Sequence, residues 1–381
     1  ATAGIYFPNK IEEVLILKNA IAINPIDAKA YYYLGNLWYD KRQYAEAVEC
    51  WERSAALDKS FPTVHRNLSL AYYNKLNQQE RALEEMEQAF ALDATDARVL
   101  MELDQLYKIS GRSFKERLEL LDKYPDLVNE RDDLYLERIT LLNNLNQYKA
   151  ALQLLASRKF HPWEGGEGKV VGQFLLCHIE LAKEAFENDK YHEAISLLAQ
   201  LAHYPENLGE GKLYGTPEND INYLLGYAYE GLNQTEKAAE KFRTATLGSS
   251  EPVQAIYYND PQPDKILYQA LAWQKLGEPQ KAEEIFQRFI DFGVAHMNDK
   301  IRIDYFAVSL PDMLVFDVDI NHRNSIFCNY LIGLGKMGLG EIEAGAKSLE
   351  NVLNMDINHQ GAAIHLRMTD FFRQTTKADV K

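Results

Sequence analysis

The sequence predicts an all-α fold: a right-handed α-solenoid of about eight helix-turn-helix repeats, with loop insertions in its C-terminal half and a capping helix at its end. Three observations carry that expectation. Apolar residues recur at the three- and four-residue spacing of amphipathic helices. A pattern of large and small residues returns every 34 or 35 residues before the interval lengthens. The 381 residues also hold 23 tyrosines beside only 12 prolines, an excess that a repeat with fixed aromatic places accounts for.

The string IEEVLILKNAIAINP, residues 11–25, reads as the second helix of a truncated leading repeat, stopped at Asn24 because the residue before a proline is disfavoured in the helical region. The first full repeat opens at Ala28. It places Leu34 and Gly35 at its seventh and eighth positions, Trp38 at the eleventh, Ala47 at the twentieth and Trp51 at the twenty-fourth. Two amphipathic helices nest in this way because a small residue lets the backbones approach while large ones fill the space alongside. Further repeats begin at Pro62, Ala97, Asp132, Leu175, Asn219, Pro263 and Ile326. The copy from Asn219 follows the pattern closely, with Leu225, Gly226, Tyr229, Ala238, Phe242 and Ala245 in the corresponding places. The intervals run 34, 35, 35, 43, 44, 44 and 63, and the surplus residues collect between the second helix of one repeat and the first helix of the next. They form inserts at 161–168, 205–218, 251–263 and 291–325, rich in Gly, Pro, Asn and Asp, which suit turns. Gln360 to Gln374 closes the chain as one amphipathic helix carrying Ile364, Leu366 and Phe371, a cap over the exposed apolar end. The expected organisation is therefore a truncated repeat or cap over 1–27, regular repeats over 28–157, insert-bearing repeats over 158–359, and a capping helix with tail over 360–381.

Composition excludes several functional classes. Hydrophobic residues at 46% and charged residues at 25% are those of a folded globular chain, not a disordered one. A formal charge of -15 repels nucleic-acid phosphates and anionic membranes, and no basic patch offsets it. Cys50, Cys177 and Cys328 are too far apart for a disulfide framework or a metal knuckle, and no apolar run approaches the length of a bilayer span. Dispersed cysteines without a secretory leader favour the cytoplasm, and a start at Ala1 suggests a piece of a longer protein.

Those positions resemble the tetratricopeptide repeat (TPR), a superfamily of protein-binding helical solenoids. More closely, the strings at His161 to Gly166, Pro205 to Lys212, Tyr257 to Asp260 and Asp304 to Asp312 are similar to the C-terminal repeats of a bacterial family that joins them to an N-terminal β-rich domain of unknown function. That resemblance implies a missing N-terminal portion with a carbohydrate-related role suggested only by fold analogy. It supplies no catalytic residue for this chain.

Motifs with chemical potential resolve into structural ones. The string GLGKMG at Gly333 to Gly338 matches the dinucleotide fingerprint, but Gly333 occupies the eighth position of a repeat, inside a helix rather than between a strand and a helix. Asp317, Asp319 and Asn321 imitate the start of a calcium loop whose sixth and twelfth places hold His322 and Cys328 instead of Gly and Glu. No metal-ligand spacing, catalytic triad or cofactor motif emerges, so the chain is expected to be non-catalytic, without a cofactor or metal.

Two constellations remain for recognition. The first is the concave groove lined by the first helix of each repeat, offering Tyr32, Asn36, Tyr39, Asn67, Tyr73, Arg98, Tyr223 and Tyr227, with Tyr330 further on. In chaperone-binding members of the superfamily, Lys, Asn and Arg at such places clamp a peptide carboxylate. The positions here carry Tyr32, Asn36, Asn67, Arg98 and Glu102; Tyr32 removes one cation and Glu102 adds a repelling charge. The second constellation is the insert edge, with His161, Trp163, Glu164, Tyr257, Asp260, Asp304, Tyr305 and Asp312, where aromatic faces beside carboxylates suit a sugar. Inserts that fold back on the solenoid or dock another domain are the alternative. The functional expectation is a scaffold binding a protein or peptide segment, which includes the missing N-terminal domain of the same polypeptide; the second reading is an accessory region of a carbohydrate-processing enzyme.

Overall fold

The computed structural model describes residues 7–163, 165–254, 260–302 and 315–378, and among them every regular element is helical. The chain packs as two units, one of Ala1–Leu134 with Leu314–Asp317, the other of Tyr135–Met313 with Val318–Lys381. The first unit holds α1 (Glu13–Ile23), α2 (Ala28–Asp40), α3 (Tyr44–Leu57), α4 (Pro62–Asn74), α5 (Gln79–Leu92), α6 (Ala97–Ile109), α7 (Phe114–Lys123) and α8 (Pro125–Glu130). The unit boundary falls within α9 (Asp132–Asn144). The second unit continues with α10 (Tyr148–Ser157), α11 (Lys169–Phe186), α12 (Tyr191–Ala199), α13 (Asn219–Gly231), α14 (Thr235–Ala245), α15 (Pro263–Lys275), α16 (Pro279–His296), α17 (Ile320–Gly338), α18 (Ile342–Met355), α19 (Gln360–Arg367) and α20 (Thr369–Ala378).

The turns inside the helix hairpins share one backbone device. Arg42, Asn77, Gly111, Asn146, Asp189, Asn233, Gly277 and Gly340 all have positive φ, between 53° and 82°, at intervals of 35, 34, 35, 43, 44, 44 and 63 residues. The residue after each sends its N–H back across the turn, as from Gln43 to the Trp38 carbonyl at 2.8 Å and from Glu341 to the Lys336 carbonyl at 2.9 Å. This satisfies a carbonyl that the helix end leaves bare, and Gly or Asn is favoured because neither resists the left-handed conformation. The regularity of these turns is the repeat, seen in the backbone.

Nesting follows from the small residues. A Cβ on Gly35 would lie 2.5 Å from the Trp51 indole, one on Gly226 2.6 Å from the Phe242 ring, and one on Gly333 2.7 Å from Leu349. Gly335 stands equally close to the Phe286 carbonyl, at 2.5 Å. The GLGKMG string therefore lies inside α17 and serves helix packing, as its register implied. Cys177 and Cys328 are buried and Cys50 is half-buried; burial pushes their thiols up, to about 12 for Cys177 and about 11 for the other two, so none is a reactive thiolate.

Four details depart from the expected elements. The helices starting at Leu175 and Ile326 by register extend upstream to Lys169 and Ile320. Val170, Val171 and Phe174 bury an added turn of α11, while the Asp319 carboxylate accepts the N–H groups of Asn321 and His322 and so caps α17 six residues early. At the same insert, residues 291–296 belong to α16, where Gly293 lets that helix approach the Cys328 carbonyl. Pro125, lacking an N–H, ends α7 and starts the unforeseen α8. The closing segment is two helices rather than one, because the Thr369 hydroxyl donates to the Leu366 carbonyl and turns the chain at Met368. Nearer the start of the sequence, α1 exposes Leu15, Ile16 and Ile23.

Substituting Gly226→Ala forces a methyl against Phe242 and is expected to cost about 1–3 kcal/mol. Gly172→Ala, on α11 with nothing within 4 Å of the new atom, is expected instead to stabilise by up to about 1 kcal/mol. Urea unfolding of both variants checks the contrast.

Candidate functional site

The inner side of the first unit is built from the first helices of its hairpins. Asn36 on α2 sits between neighbours: its Oδ1 accepts from the Trp51 indole at 3.1 Å and from Asn67 Nδ2 on α4 at 3.2 Å, while its own Nδ2 is buried without a partner. Arg66 grips Glu102 on α6 through two 2.6 Å bonds, and Arg98 adds a third at 3.0 Å. Glu102, wholly buried, is thus neutralised between two guanidiniums and is not the repelling charge that its position in the sequence suggested. Tyr32 is not a surface residue. It is 5% exposed, packs on Phe61 at 4.8 Å between ring centres, and belongs to the core with Ala47, Val48 and Trp51.

At the ends of α2 and α4 the two tyrosines of the expected groove meet a distant stretch of chain. Tyr39 stacks beside Trp51 and Tyr44, and Tyr73 meets Phe316 edge to face at 5.1 Å. Asn74 holds the backbone on both sides of that phenylalanine: its Nδ2 donates to the Val315 carbonyl at 2.9 Å and its Oδ1 accepts from the Asp317 N–H at 2.8 Å. Lys75 stands 3.4 Å from the Asp317 carboxylate and 5.6 Å from the centre of the Tyr44 ring. Burial raises the phenols of Tyr39 and Tyr73, helped by Tyr44 and then the Asp317 charge at Tyr39 and by the Asp317 charge at Tyr73, so both remain neutral donors at physiological pH. Chemically this is a backbone-reading amide beside an aromatic pocket and a cation.

In the second unit the corresponding tyrosines are consumed by packing. Tyr223 is buried against Phe242 and Tyr268, and Tyr227 packs on Phe186 and Phe371. The closing helices reach far back along this unit. Gln360 bonds Asn144 at 2.8 Å and Gln173 at 2.9 Å, and Arg367 bonds the Tyr148 hydroxyl at 3.0 Å and Glu180 at 3.2 Å. Burial works to raise the Glu180 carboxyl, but Lys183 at 2.7 Å and Arg367 outweigh it and leave it lowered. His365 approaches Tyr330 at 3.0 Å and the Gly361 carbonyl at 2.7 Å through Nδ1. A carbonyl can only accept, so Nδ1 carries the proton of the neutral ring. Burial first, then the Lys183 charge, lower this histidine to about 4.

The first two inserts are knitted to each other. Asn207 Nδ2 donates to the carbonyls of Leu155 and Arg158, both at 2.8 Å, the Phe160 N–H donates to the Asn207 carbonyl at 2.7 Å, and Glu210 accepts from the Gly168 N–H. Trp163 is half-buried and lies over Gly166, inside its own loop. His161 is exposed, and the Asp260 carbonyl accepts from Gln262. Glu164, Tyr257, Asp304, Tyr305 and Asp312 lie outside the described residues, so the eight-residue edge site is not brought together in what the structure describes. Among the described residues no group of three His, Cys, Asp or Glu is placed to hold a metal ion, and no helix is long and apolar enough to cross a membrane.

Residues 35–75 match the family model described as TPR repeat, and residues 179–252 match the one described as tetratricopeptide repeat. Those two segments are tetratricopeptide repeats. Several solved structures are similar. YrrB, described as a TPR protein with an unusual peptide-binding site, shares 16% identity over 60% of this chain and 90% of its own, at a TM-score of 0.33. A tetratricopeptide repeat protein from Parabacteroides merdae shares 15% over 69% and 91%, at 0.34. The Naa15/Naa10 complex bound to HypK-THB aligns over 97% of this chain and 64% of that one, with 9% identity and a TM-score of 0.43.

Sequence reading found Tyr39 and Tyr73 but passed over Asn74, Lys75 and Phe316, and took Asp317 for a false calcium ligand. Asn74 and Val315 are 241 positions apart, so no local pattern could join them.

The buried neutral His365 makes the second unit sensitive to acid. Its folded pKa is lowered, so its contribution is complete above the unfolded value of about 6.5 and is lost as pH falls toward 4. Between pH 7 and 5 the loss is expected to be about 2 kcal/mol relative to a His365→Gln variant. Denaturant midpoints of the two proteins at both pH values test this.

Proposed function

We propose that this chain is a non-catalytic scaffold that binds a non-helical protein segment along the first helices of the hairpins of its first unit. The observation that carries the reading is Asn74, whose side-chain amide pairs with the carbonyl and N–H flanking one residue, Phe316, of a non-helical stretch. An amide used in this way reads backbone and is indifferent to which protein supplies it. Asn36 supports that surface from beneath, since its Oδ1 accepts from Asn67 and from the Trp51 indole and so fixes the neighbouring amide. Asn67, Tyr39, Tyr73 and Arg98 complete the proposed surface. The insert edge is assigned to packing between loops, in keeping with the Asn207 and Glu210 bonds, rather than to the accessory site of a carbohydrate-processing enzyme.

Panning a random peptide library on the full chain tests the proposal. Enriched peptides are expected to bind Asn36→Ala and Asn74→Ala variants about tenfold or more weakly, the effect of losing one or two hydrogen bonds. A library that yields no binder, or binders indifferent to both substitutions, overturns it.

A further inference from the structure

The stretch Val315–Asp317 is held in the first unit as a ligand would be. Phe316 is fully buried at 0% exposure, and its ring lies against Tyr73. The two Asn74 bonds fix the register of the chain so that this side chain, and not its neighbours, enters the pocket. The next residue, Asp317, remains 68% exposed and faces Lys75. Each of the three contacts selects a different property: a free carbonyl and N–H on either side of one residue, an aromatic side chain there, and a following negative charge. A segment that merely braced the fold would need none of the last.

We infer that Val315–Asp317 is a built-in occupant of the groove, and that the partner it excludes carries the same signature, an aromatic residue followed directly by an acidic one in a non-helical segment. This rests on the scaffold reading above and names its partner and its regulation. The resident stretch has the advantage of its tether, which supplies an effective concentration in the millimolar range. Its own contact is small, one large side chain and two backbone bonds. A partner segment bearing the signature and adding contacts toward Asn67 therefore displaces it. Because Asp317 contributes to the hold through a solvent-facing ion pair, release is favoured by salt.

The experiment uses the full chain and a fluorescein-labelled peptide Val-Phe-Asp-Val-Asp-Ile, copied from residues 315–320, titrated by fluorescence anisotropy. The wild-type chain is expected to bind it weakly, and Phe316→Ala, which vacates the pocket, at least about tenfold more tightly. Adding Asn74→Ala to that variant is expected to abolish the gain, as is replacing the peptide's phenylalanine by alanine. Asp317→Lys, an exposed position opposed to Lys75, weakens the hold without touching the core and is expected to give a smaller gain, about two- to fivefold, should Phe316→Ala unfold the unit. Equal binding by wild type and both opened variants, with helical circular dichroism retained, overturns the inference. Library peptides that lack the signature yet still require Asn36 or Asn74 would overturn it while leaving the scaffold reading intact.

Discussion

The structure depends on the close approach of two helices at a residue without room for a side chain. Gly35 against Trp51, Gly226 against Phe242 and Gly333 against Leu349 are the same contact repeated, each leaving less than 3 Å for a Cβ. The aromatic or aliphatic partner is set from the second helix into the notch of the first, so neither residue is free to change alone. From that contact follows the rest of a hairpin: the left-handed turn fourteen residues from its start, and the presentation of the outer surface of the first helix as the inner side of a stack. A repeat with this geometry buries its own core locally and needs only its neighbours for cover.

The charges of the inner side are governed by a second constraint. A buried ion is costly unless another residue neutralises it, and here the neutralising group comes from a neighbouring helix or hairpin. Arg117 is wholly buried and bonds Asp104 at 2.7 and 3.0 Å; Arg66 spans to Glu102, Lys265 to Asp220, and Arg367 to Glu180. Removing Asp104 would take two hydrogen bonds from the buried Arg117 guanidinium, whereas loss of an exposed pair such as Lys115 with Glu119 would hardly register. Each of these buried charges is answered within the chain.

The periodic part of this fold was legible because it is local. Helix starts at Ala28, Pro62, Ala97, Asp132, Asn219 and Pro263 coincide with the register of the sequence, and the turn residues keep that register even where α11 and α17 begin early. The shortfalls have physical causes that a period does not contain: an aspartate cap at 319, a proline at 125, and a threonine hydroxyl at 369 competing for a carbonyl. The candidate groove was half legible. Position in the repeat pointed to Asn36, Tyr39, Asn67 and Tyr73, yet it also pointed to Tyr32 and Tyr223, which the core absorbs, because one helical face serves both packing and presentation.

By itself, the sequence determined the helical hairpins, their register, the small-against-large contacts and the places where inserts interrupt them, since each depends on residues within about forty positions of one another. Tertiary structure alone decided that Glu102 is neutralised, that the closing helices reach back to Asn144 and Tyr148, and that Phe316 lies beside Tyr73. The first depends on which charges neighbouring hairpins bring together in space, and the other two join residues 216 to 243 positions apart. A short-range pattern carries no record of such pairs, because burial and hydrogen bonding act on distance in space and not on distance along the chain.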